Sequence, residues 1–291
     1  MDGGSVSRFA VVIVDACVRR GVGGSPTAVV EDDGTATDVD RRTVPAHAGT
    51  SHAAFLGRAP RADGSRPVRF FTTEGELAGC GHGTVAAQAV VLERGGTDEL
   101  RSRQYTGGRT FEAVAVRRDA GIEVWFDQGI VALRAPAPAE RDAIVAALGL
   151  TRADLHPDGE VSVASPGTPR LLLPVRDRET LGGISPRFSA LASACRRFGQ
   201  LGCFVYVPPS PTMPAVARMF APAIGVAEDV ANANSTGCLA AHLLTTTGAA
   251  SVEVEQGDAL GRPATVFASA RLGPAGIETR VGGLAVIRGR P

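Results

Sequence analysis

The segment 68–96 constrains the fold more than any other part of the sequence, because four local patterns follow one another in it without a break. A β-rich run at 68–73 is followed by acidic residues that include Glu76, and then by a glycine-rich turn at 79–84. The residues from 85 to 92 are almost all apolar, and two glycines end the run. A helix that is apolar on every face belongs inside a core. The segment therefore predicts a strand, an acid, a glycine turn and a buried helix, which is the layout of a reactive site.

The turn at 79–84 has two properties that suit an anionic ligand. Its glycines allow backbone N–H groups to approach a ligand closely. The helix start that follows offers unpaired N–H groups and the positive end of a helix dipole, which favour a carboxylate or a phosphate.

A second copy of this pattern lies about half the chain later. Residues 217–220 repeat the run at 68–71, two acids follow at 228–229, and 234–238 forms a second turn of small residues. Another apolar helix comes next and is closed by Gly248. A repeat of such a long period indicates two similar domains. We predict a duplicated α/β unit, with one copy in each half.

Composition excludes several classes of function. The 291 residues include 30 basic and 30 acidic side chains, so the net charge is +0 and offers no attraction to nucleic acid or to an anionic membrane. No apolar run approaches the ~20 residues that a membrane span needs. Residues 1–9 lack the apolar core of a signal peptide. We expect a soluble, cytoplasmic protein without nucleic-acid or membrane partners.

The cysteines and histidines show no metal-ligand spacing. The five cysteines are odd in number and form no CxxC pair, so neither a disulfide framework nor a zinc site is predicted. Four histidines are scattered along the chain: His47, His52, His156 and His242. We expect no metal site from these residues.

The remaining runs predict an α+β protein with a mostly antiparallel sheet. Strands are predicted from apolar or alternating runs at 9–17, 28–30, 51–56, 104–115, 121–126, 169–175, 204–207, 251–256, 265–272 and 276–287. Helices are predicted at 140–148 and 186–198, and residues 31–44 are expected to be exposed. The proline-containing segment 135–139 predicts domains at 1–130 and 131–283, with a last strand at about 284–291 that is expected to return to the first domain.

Glu76 is the first candidate for acid/base chemistry. A carboxylate between a glycine turn and an apolar helix would be partly shielded from water, which raises its pKa toward neutrality. Nearby helix N-termini would lower that pKa, and the sequence does not decide between the two effects. The alternative is an ordinary solvated carboxylate.

Cysteine and histidine at the two turns are the other candidates. Cys80 stands at a helix start, where the pKa of a thiol is lowered and a thiolate could remove a proton from carbon. Cys238 has the same interpretation, or could hold an anion. For either residue the alternative is a small side chain that packs under the turn. His82 is either a donor to a bound carboxylate or a core histidine, and Asp229 either orients substrate or caps the second helix.

Several ordered motifs resemble the PhzF-like family, the phenazine-biosynthesis-type isomerases of the diaminopimelate epimerase-like fold. They cover nearly the whole chain and comprise VDAC at 14–17, GGSPTAVV at 23–30, SHAAF at 51–55, FFTTEGE at 70–76, CGHGT at 80–84, RMFAP at 218–222, STGC at 235–238, GRP at 261–263 and VGG at 281–283.

This resemblance implies a fold, a mechanism and a partner. It implies two α+β halves, each a curved, mostly antiparallel sheet wrapped around a central apolar helix, with the site in the cleft between them. It also implies a homodimer, no cofactor, and a small carboxylic-acid substrate in which a proton moves between carbons. By this resemblance Glu76 is the acid/base residue and Asp229 assists, while the two turns bind substrate through Gly81, His82, Gly83, Thr84, Ser235, Thr236, Gly237 and Cys238.

The sequence departs from the family pattern at positions near the expected site. Ser25 replaces the usual Asn, His52 the usual Glu, Val230 the usual Pro, and Cys238 the usual Ser. The segment between Asp229 and Thr236 is interpreted as longer than usual. Related racemases and epimerases carry one thiol before each glycine turn. Cys80 fits the first, but the second should stand near Asn234, which disfavours a two-thiol racemase.

Three functions remain open at this stage. The first is a PhzF-like isomerase of secondary-metabolite, antibiotic-type biosynthesis that acts on a small conjugated acid through Glu76. The second is an epimerase, racemase or dehydratase of an amino or hydroxy acid that is led by Cys80. The third is a catalytically silent binder of a small ligand, which is motivated by the changes at His52 and Val230.

Overall fold

A computed structural model describes residues 9–289. The predicted polar start at 1–8 and the last two residues of the predicted final strand lie outside the described residues. The strands are β1 Val11–Ala16, β2 Ser25–Asp32, β3 His52–Gly57, β4 Arg66–Phe71, β5 Glu76–Leu77, β6 Glu99–Thr106, β7 Arg109–Arg118, β8 Gly121–Arg134, β9 Ser162–Ser165, β10 Arg170–Pro174, β11 Cys203–Val207, β12 Ala215–Ala221, β13 Val226–Asp229, β14 Ser251–Gln256, β15 Ala264–Gly273 and β16 Gly276–Gly289. The helices are α1 Asp38–His47, α2 Gly81–Gly95, α3 Pro138–Ala147, α4 Arg178–Gly183, α5 Phe188–Arg197 and α6 Ala233–Thr247.

The chain divides into two compact units. The first unit has two segments, the residues up to Asp127 and those from Gly282 onward. The second unit is Gln128–Val281. The fold is α+β, and each unit is a mostly antiparallel sheet that packs on one long apolar helix.

In the first unit the strand order is β8-β7-β6-β4-β3-β2-β1-β16, with β5 on β4 and a further pairing of β8 with β16. Only β2–β3 and β4–β6 are parallel among the pairs with assigned registers. Helix α2 packs against β1, β2, β3 and β7, and α1 covers the other face of β2, β3 and β4. Alternate residues of β2 therefore meet different helices, and Ala28 and Val30 pack against Val44 of α1. Burial on both faces explains the unbroken apolar runs of these strands.

In the second unit the order is β8-β9-β10-β11-β12-β14-β15-β16, with β13 on β12. Helix α6 packs against β9, β10, β14 and β15. The short helices α3, α4 and α5 cover the other face, where Ile144, Leu173, Leu191 and Val205 share one apolar cluster. The sheet again has a long inner helix and shorter outer helices.

Helices α2 and α6 are both 15 residues long and both end at a glycine in the left-handed conformation. Their glycine caps, Gly96 at φ 64° and Gly248 at φ 77°, have the conformation that only glycine adopts without strain. The predicted apolar helices are confirmed, but both begin earlier than predicted. Residues 81–84 and 234–238 are helical, so the two predicted turns are in fact the first turns of helices.

Two further differences concern exposed segments. The segment 31–44, predicted only as exposed, contains the start of helix α1, whose N-cap Thr37 accepts a hydrogen bond from the Asp40 N–H. The short helix α4 also escaped prediction. Among residues 9–289, the structure has no helix both long and apolar enough to span a bilayer.

Candidate functional site

The predicted residues of the first turn meet at the N-terminus of α2. Cys80 is the N-cap, and its Sγ accepts a hydrogen bond from the N–H of Gly83 at 3.3 Å. The Thr84 hydroxyl donates to the Cys80 carbonyl at 2.9 Å. The Cys80 side chain thus supplies one of the acceptors that the first N–H groups of a helix lack.

A cluster of His52, Cys80 and His82 is the most chemically distinctive feature of this helix start. One potential ligand atom from each residue lies within 4.8 Å of the other two. Sγ of Cys80 is 3.4 Å from Nε2 of His82, and the two imidazole rings meet edge to face with centroids 4.4 Å apart. The three residues are only 4 %, 7 % and 3 % exposed. Two imidazoles and a thiol are therefore held together at a largely water-excluded point.

Burial determines the protonation state of His52. Removal from water, and then the neighbouring His82, hold the pKa of His52 well below its usual 6.5. Nδ1 of His52 lies 2.8 Å from Oγ of Ser51, which fixes the ring orientation. His52 is accordingly a neutral imidazole at physiological pH, able to accept a proton. Sequence spacing gave no metal-ligand pattern for His52, and the fold brings it together with Cys80 and His82.

The glycine and threonine in the first turn of α2 serve packing. A Cβ on Gly83 would lie 2.8 Å from the Phe70 ring and 2.9 Å from Sγ of Cys80. Thr84 also accepts a hydrogen bond from Gln104, at 3.3 Å, within a buried polar network. Gly83 is thus required because α2 packs closely on β4. The sequence interpretation had instead explained the glycine by the close approach of a ligand.

Glu76 is hydrogen-bonded to Arg69 and not to the cluster of His52, Cys80 and His82. Its two carboxylate oxygens accept hydrogen bonds from Arg69 at 2.8 and 2.6 Å. Arg69 also donates to Asp38 at 3.0 Å, and its guanidinium lies over the Phe71 ring. The Glu76 side chain is 43 % exposed, so this carboxylate is shielded from water only in part.

The second unit repeats the Glu76 arrangement. Arg218 donates to both oxygens of Glu228 at 2.9 and 2.7 Å, and its guanidinium lies over the Phe220 ring. Here the carboxylate is only 9 % exposed. Glu76 and Glu228 are equivalent members of a duplicated ion pair, which indicates that this pair belongs to the scaffold.

The N-terminus of α6 is capped by Asn232. Its Oδ1 accepts from the N–H of Ser235 at 2.9 Å, and its Nδ2 donates to Asp229 at 2.8 Å. Thr236 donates to the Asn232 carbonyl at 3.1 Å, as Thr84 does to that of Cys80. Asp229 is the last residue of β13, and three residues separate it from the first residue of α6. That the segment between Asp229 and Thr236 is longer than the family pattern stays a prediction.

The other predicted residues of α6 are deeply buried. Cys238 is in the second turn, and burial raises the pKa of its thiol while Arg170 opposes that change. A Cβ on Gly237 would overlap the Gln128 side chain and lie 2.7 Å from Val281. Both residues contact protein in this structure, and their predicted role in substrate binding stays a prediction.

Sequence reasoning missed His52 as a member of the cluster and Arg170 altogether. His52 had one available signal, since it was noted as replacing a usual Glu. Arg170 is 2 % exposed and lies beside the start of α6, where it donates to Oγ of Ser235 at 3.4 Å and to the Thr168 carbonyl at 2.9 Å. Nothing in the local sequence distinguishes this arginine from the many exposed ones.

Comparisons with known proteins place these features in context. Residues 14–289 match the family described as phenazine biosynthesis-like protein, PhzC-PhzF. An uncharacterized isomerase of Salmonella typhimurium is 30 % identical over 263 residues, 87 % of either chain. The trans-2,3-dihydro-3-hydroxyanthranilate isomerase of Pseudomonas fluorescens is 26 % identical and covers 89 % of either chain. The solved structure of a predicted epimerase from Pseudomonas aeruginosa superposes with a TM-score of 0.82 at 26 % identity, over 97 % of both chains.

Proposed function

Because this chain belongs to the PhzC-PhzF family and is an isomerase, we propose that it moves a proton between two carbons of a small unsaturated carboxylic acid, with His52 and Cys80 as the acid/base groups. The observation that carries this proposal is the buried cluster at the start of α2, in which a neutral imidazole lies within 4.8 Å of a thiol. Burial keeps His52 unprotonated near pH 7, so it can act as a base, although its lowered pKa makes it a weaker base than a free imidazole.

The chemistry requires only groups that carry protons. A base removes a proton from one carbon, the electron pair shifts along the conjugated system, and a proton is returned at another carbon. Composition and oxidation level do not change. In the proposed step His52 takes the proton, Cys80 is the second proton carrier, and the N–H groups at the start of α2 bind the carboxylate.

The Pseudomonas fluorescens relative suggests the substrate class. Its name describes the isomerisation of a cyclic, conjugated amino acid. We propose a substrate of that kind, from a secondary-metabolite pathway of the antibiotic type.

Glu76 is the competing acid/base residue. Its bidentate bond to Arg69 and its repetition as Glu228 favour a structural role. An arginine-bound carboxylate must give up two charge-assisted hydrogen bonds before it can accept a proton.

A racemase with two thiols is the second candidate, since the N-cap of α2 is a cysteine. The N-cap of α6 is Asn232, so the equivalent position lacks a thiol. A one-thiol epimerase or dehydratase keeps the same residues and differs only in the substrate. A silent ligand binder would use the same helix start without proton transfer.

Deuterium incorporation tests the proposal. The protein is incubated in deuterated water with a panel of cyclic and linear unsaturated carboxylic acids that includes trans-2,3-dihydro-3-hydroxyanthranilate, and products are analysed by NMR. We expect deuterium at one carbon together with a shifted double bond. His52→Gln should abolish the exchange, whereas Glu76→Gln should retain it. Loss in Glu76→Gln with retention in His52→Gln would assign the reaction to the carboxylate.

We also propose that the active form is a cytoplasmic homodimer, as the family resemblance implies. Light scattering during size-exclusion chromatography measures the mass directly. A particle of one 29.9 kDa chain would rule the dimer out.

A further inference from the structure

We propose that His52, Cys80 and His82 also form a binding site for a divalent cation of the zinc class, and that the bound cation inhibits the isomerase. The first half of this inference stands on geometry alone. The second half rests on the proposed function, because the cation would occupy the lone pairs that proton transfer uses.

The three side chains are a donor set typical of zinc. Thiolate and imidazole are the ligands that Zn²⁺ and Co²⁺ prefer, and three protein ligands leave a fourth position for water or for a carboxylate. With Zn–S of about 2.3 Å and Zn–N of about 2.0 Å, a tetrahedral ion places sulfur and nitrogen about 3.5 Å apart. Sγ of Cys80 is already 3.4 Å from Nε2 of His82. The widest separation in the set is at most 4.8 Å, so an adjustment of little more than an ångström would complete the site.

Neighbouring groups orient the ligands as they do in metal sites. Nδ1 of His52 is bonded to Ser51, which leaves Nε2 as the nitrogen to face an ion. The Gly83 N–H donates to Sγ of Cys80, which holds the sulfur at the start of α2 beside His82. The helix start itself disfavours a cation, but that effect is small against three direct ligand bonds.

Cobalt provides a readout that is independent of catalysis. The purified full-length protein is stripped of metal and titrated with CoCl₂, and the thiolate-to-cobalt charge-transfer absorption is recorded. We expect one cobalt ion per chain, and loss of the absorption when Zn²⁺ is added. Cys80→Ser should lose the charge-transfer band, and His52→Gln should bind at least tenfold more weakly.

Two more variants distinguish a specific loss of the metal site from a nonspecific effect of removing a buried side chain. Ser51→Ala removes only the group that orients His52, and loss of such a partner typically weakens metal affinity about 10–100-fold. Cys195→Ala removes a buried thiol of the α5 core and should leave the titration unchanged. Absence of the band in the wild type, its persistence in Cys80→Ser, or its loss in Cys195→Ala would each overturn the site.

The exchange assay then separates this inference from the proposed function. With zinc present we expect exchange to fall at least tenfold and to recover with EDTA. Zinc binding without that fall would refute the inhibitory half of the inference. Zinc binding in a protein that shows no exchange under either condition would count against the proposed function and leave the cation site standing.

Discussion

The N-terminal ends of α2 and α6 are built alike but carry different chemistry. In each helix a side chain at the N-cap accepts the N–H three residues later, and a threonine hydroxyl binds the N-cap carbonyl. The N-caps differ: Cys80 stands beside two imidazoles, whereas Asn232 stands beside Asp229. The shared features are those that begin a helix, so the features that are not shared are the better guide to the reaction.

The strands before the two helices support the same distinction. Glu76 and Glu228 each bind an arginine through both oxygens, and each arginine covers an aromatic ring. A group that occurs in both units is explained by the fold they share. The imidazole–thiol cluster occurs at α2 alone of the two helix starts, and a reaction at one point of a substrate needs only one such cluster.

Replacement of His52, which only the start of α2 has beside it, should have the largest effect on the reaction rate. His52→Gln removes the basic lone pair while it keeps a polar side chain near Ser51, and loss of a general base costs about 10²–10⁴-fold in rate. Exchange in deuterated water measures the loss, and far-ultraviolet circular dichroism checks the fold. Wild-type exchange in this variant would mean that the difference between the two helix starts is not catalytic.

The acid limb of the wild-type rate profile offers a second readout for the same residue. Because burial holds the pKa of His52 well below 6.5, the neutral base persists below pH 6.5 and kcat/KM should stay level there. A limb centred above pH 6.5 would point to another base.

Glu76 and Glu228 allow the two units to be compared by the stability that each arginine–glutamate pair contributes. Glu228→Gln breaks a pair that is almost fully buried and should lower the free energy of unfolding by about 3 kcal/mol or more. Glu76→Gln breaks a half-exposed pair, and its cost should stay below about 1 kcal/mol. Urea denaturation of the two variants measures both values. Equal losses would show that the two pairs do not differ in the way their exposure indicates.

The sequence was sufficient for the scaffold because the scaffold is local. The apolar run of α2, its glycine cap and the β-branched runs of β1 and β2 each predict an element from neighbouring residues. The helix starts were misplaced by four residues at α2 and six at α6, because small residues in 79–84 and 234–238 resemble a turn until their hydrogen bonds are known.

The candidate site could not be derived in the same way. His52 and Cys80 are separated along the chain, and only the packing of α2 on β3 brings them together. The interpretation of Glu76 depended on burial, which the sequence does not give. Arg69 was visible as part of a repeat, but its bond to Glu76 depends on the pairing of Phe71 with Glu76 between β4 and β5.

The stability of the protein should depend on pH through His52. The depressed pKa of His52 means that the unfolded chain binds its proton more readily, so stability is complete above pH 6.5 and declines as the pH falls below it. One such group contributes at most about 1.4 kcal/mol per pH unit. Urea midpoints of the wild type and His52→Gln between pH 7.5 and 5.5 should converge as the pH falls. His242 has a pKa lowered by burial as well, so some acid sensitivity should remain in the variant.

The smallest effect concerns the N-cap of α6. Asn232→Ala removes the acceptor for the Ser235 N–H and should cost about 1 kcal/mol, the usual value for an N-cap. Asn232→Ser keeps a capping oxygen but loses the bond to Asp229, so it should restore most of the stability while it frees the carboxylate. If Asp229 assists catalysis, exchange should fall in Asn232→Ser although the helix remains capped. If exchange follows stability across the two variants, Asn232 and Asp229 serve the helix alone, and the start of α2 carries the proton transfer without their help.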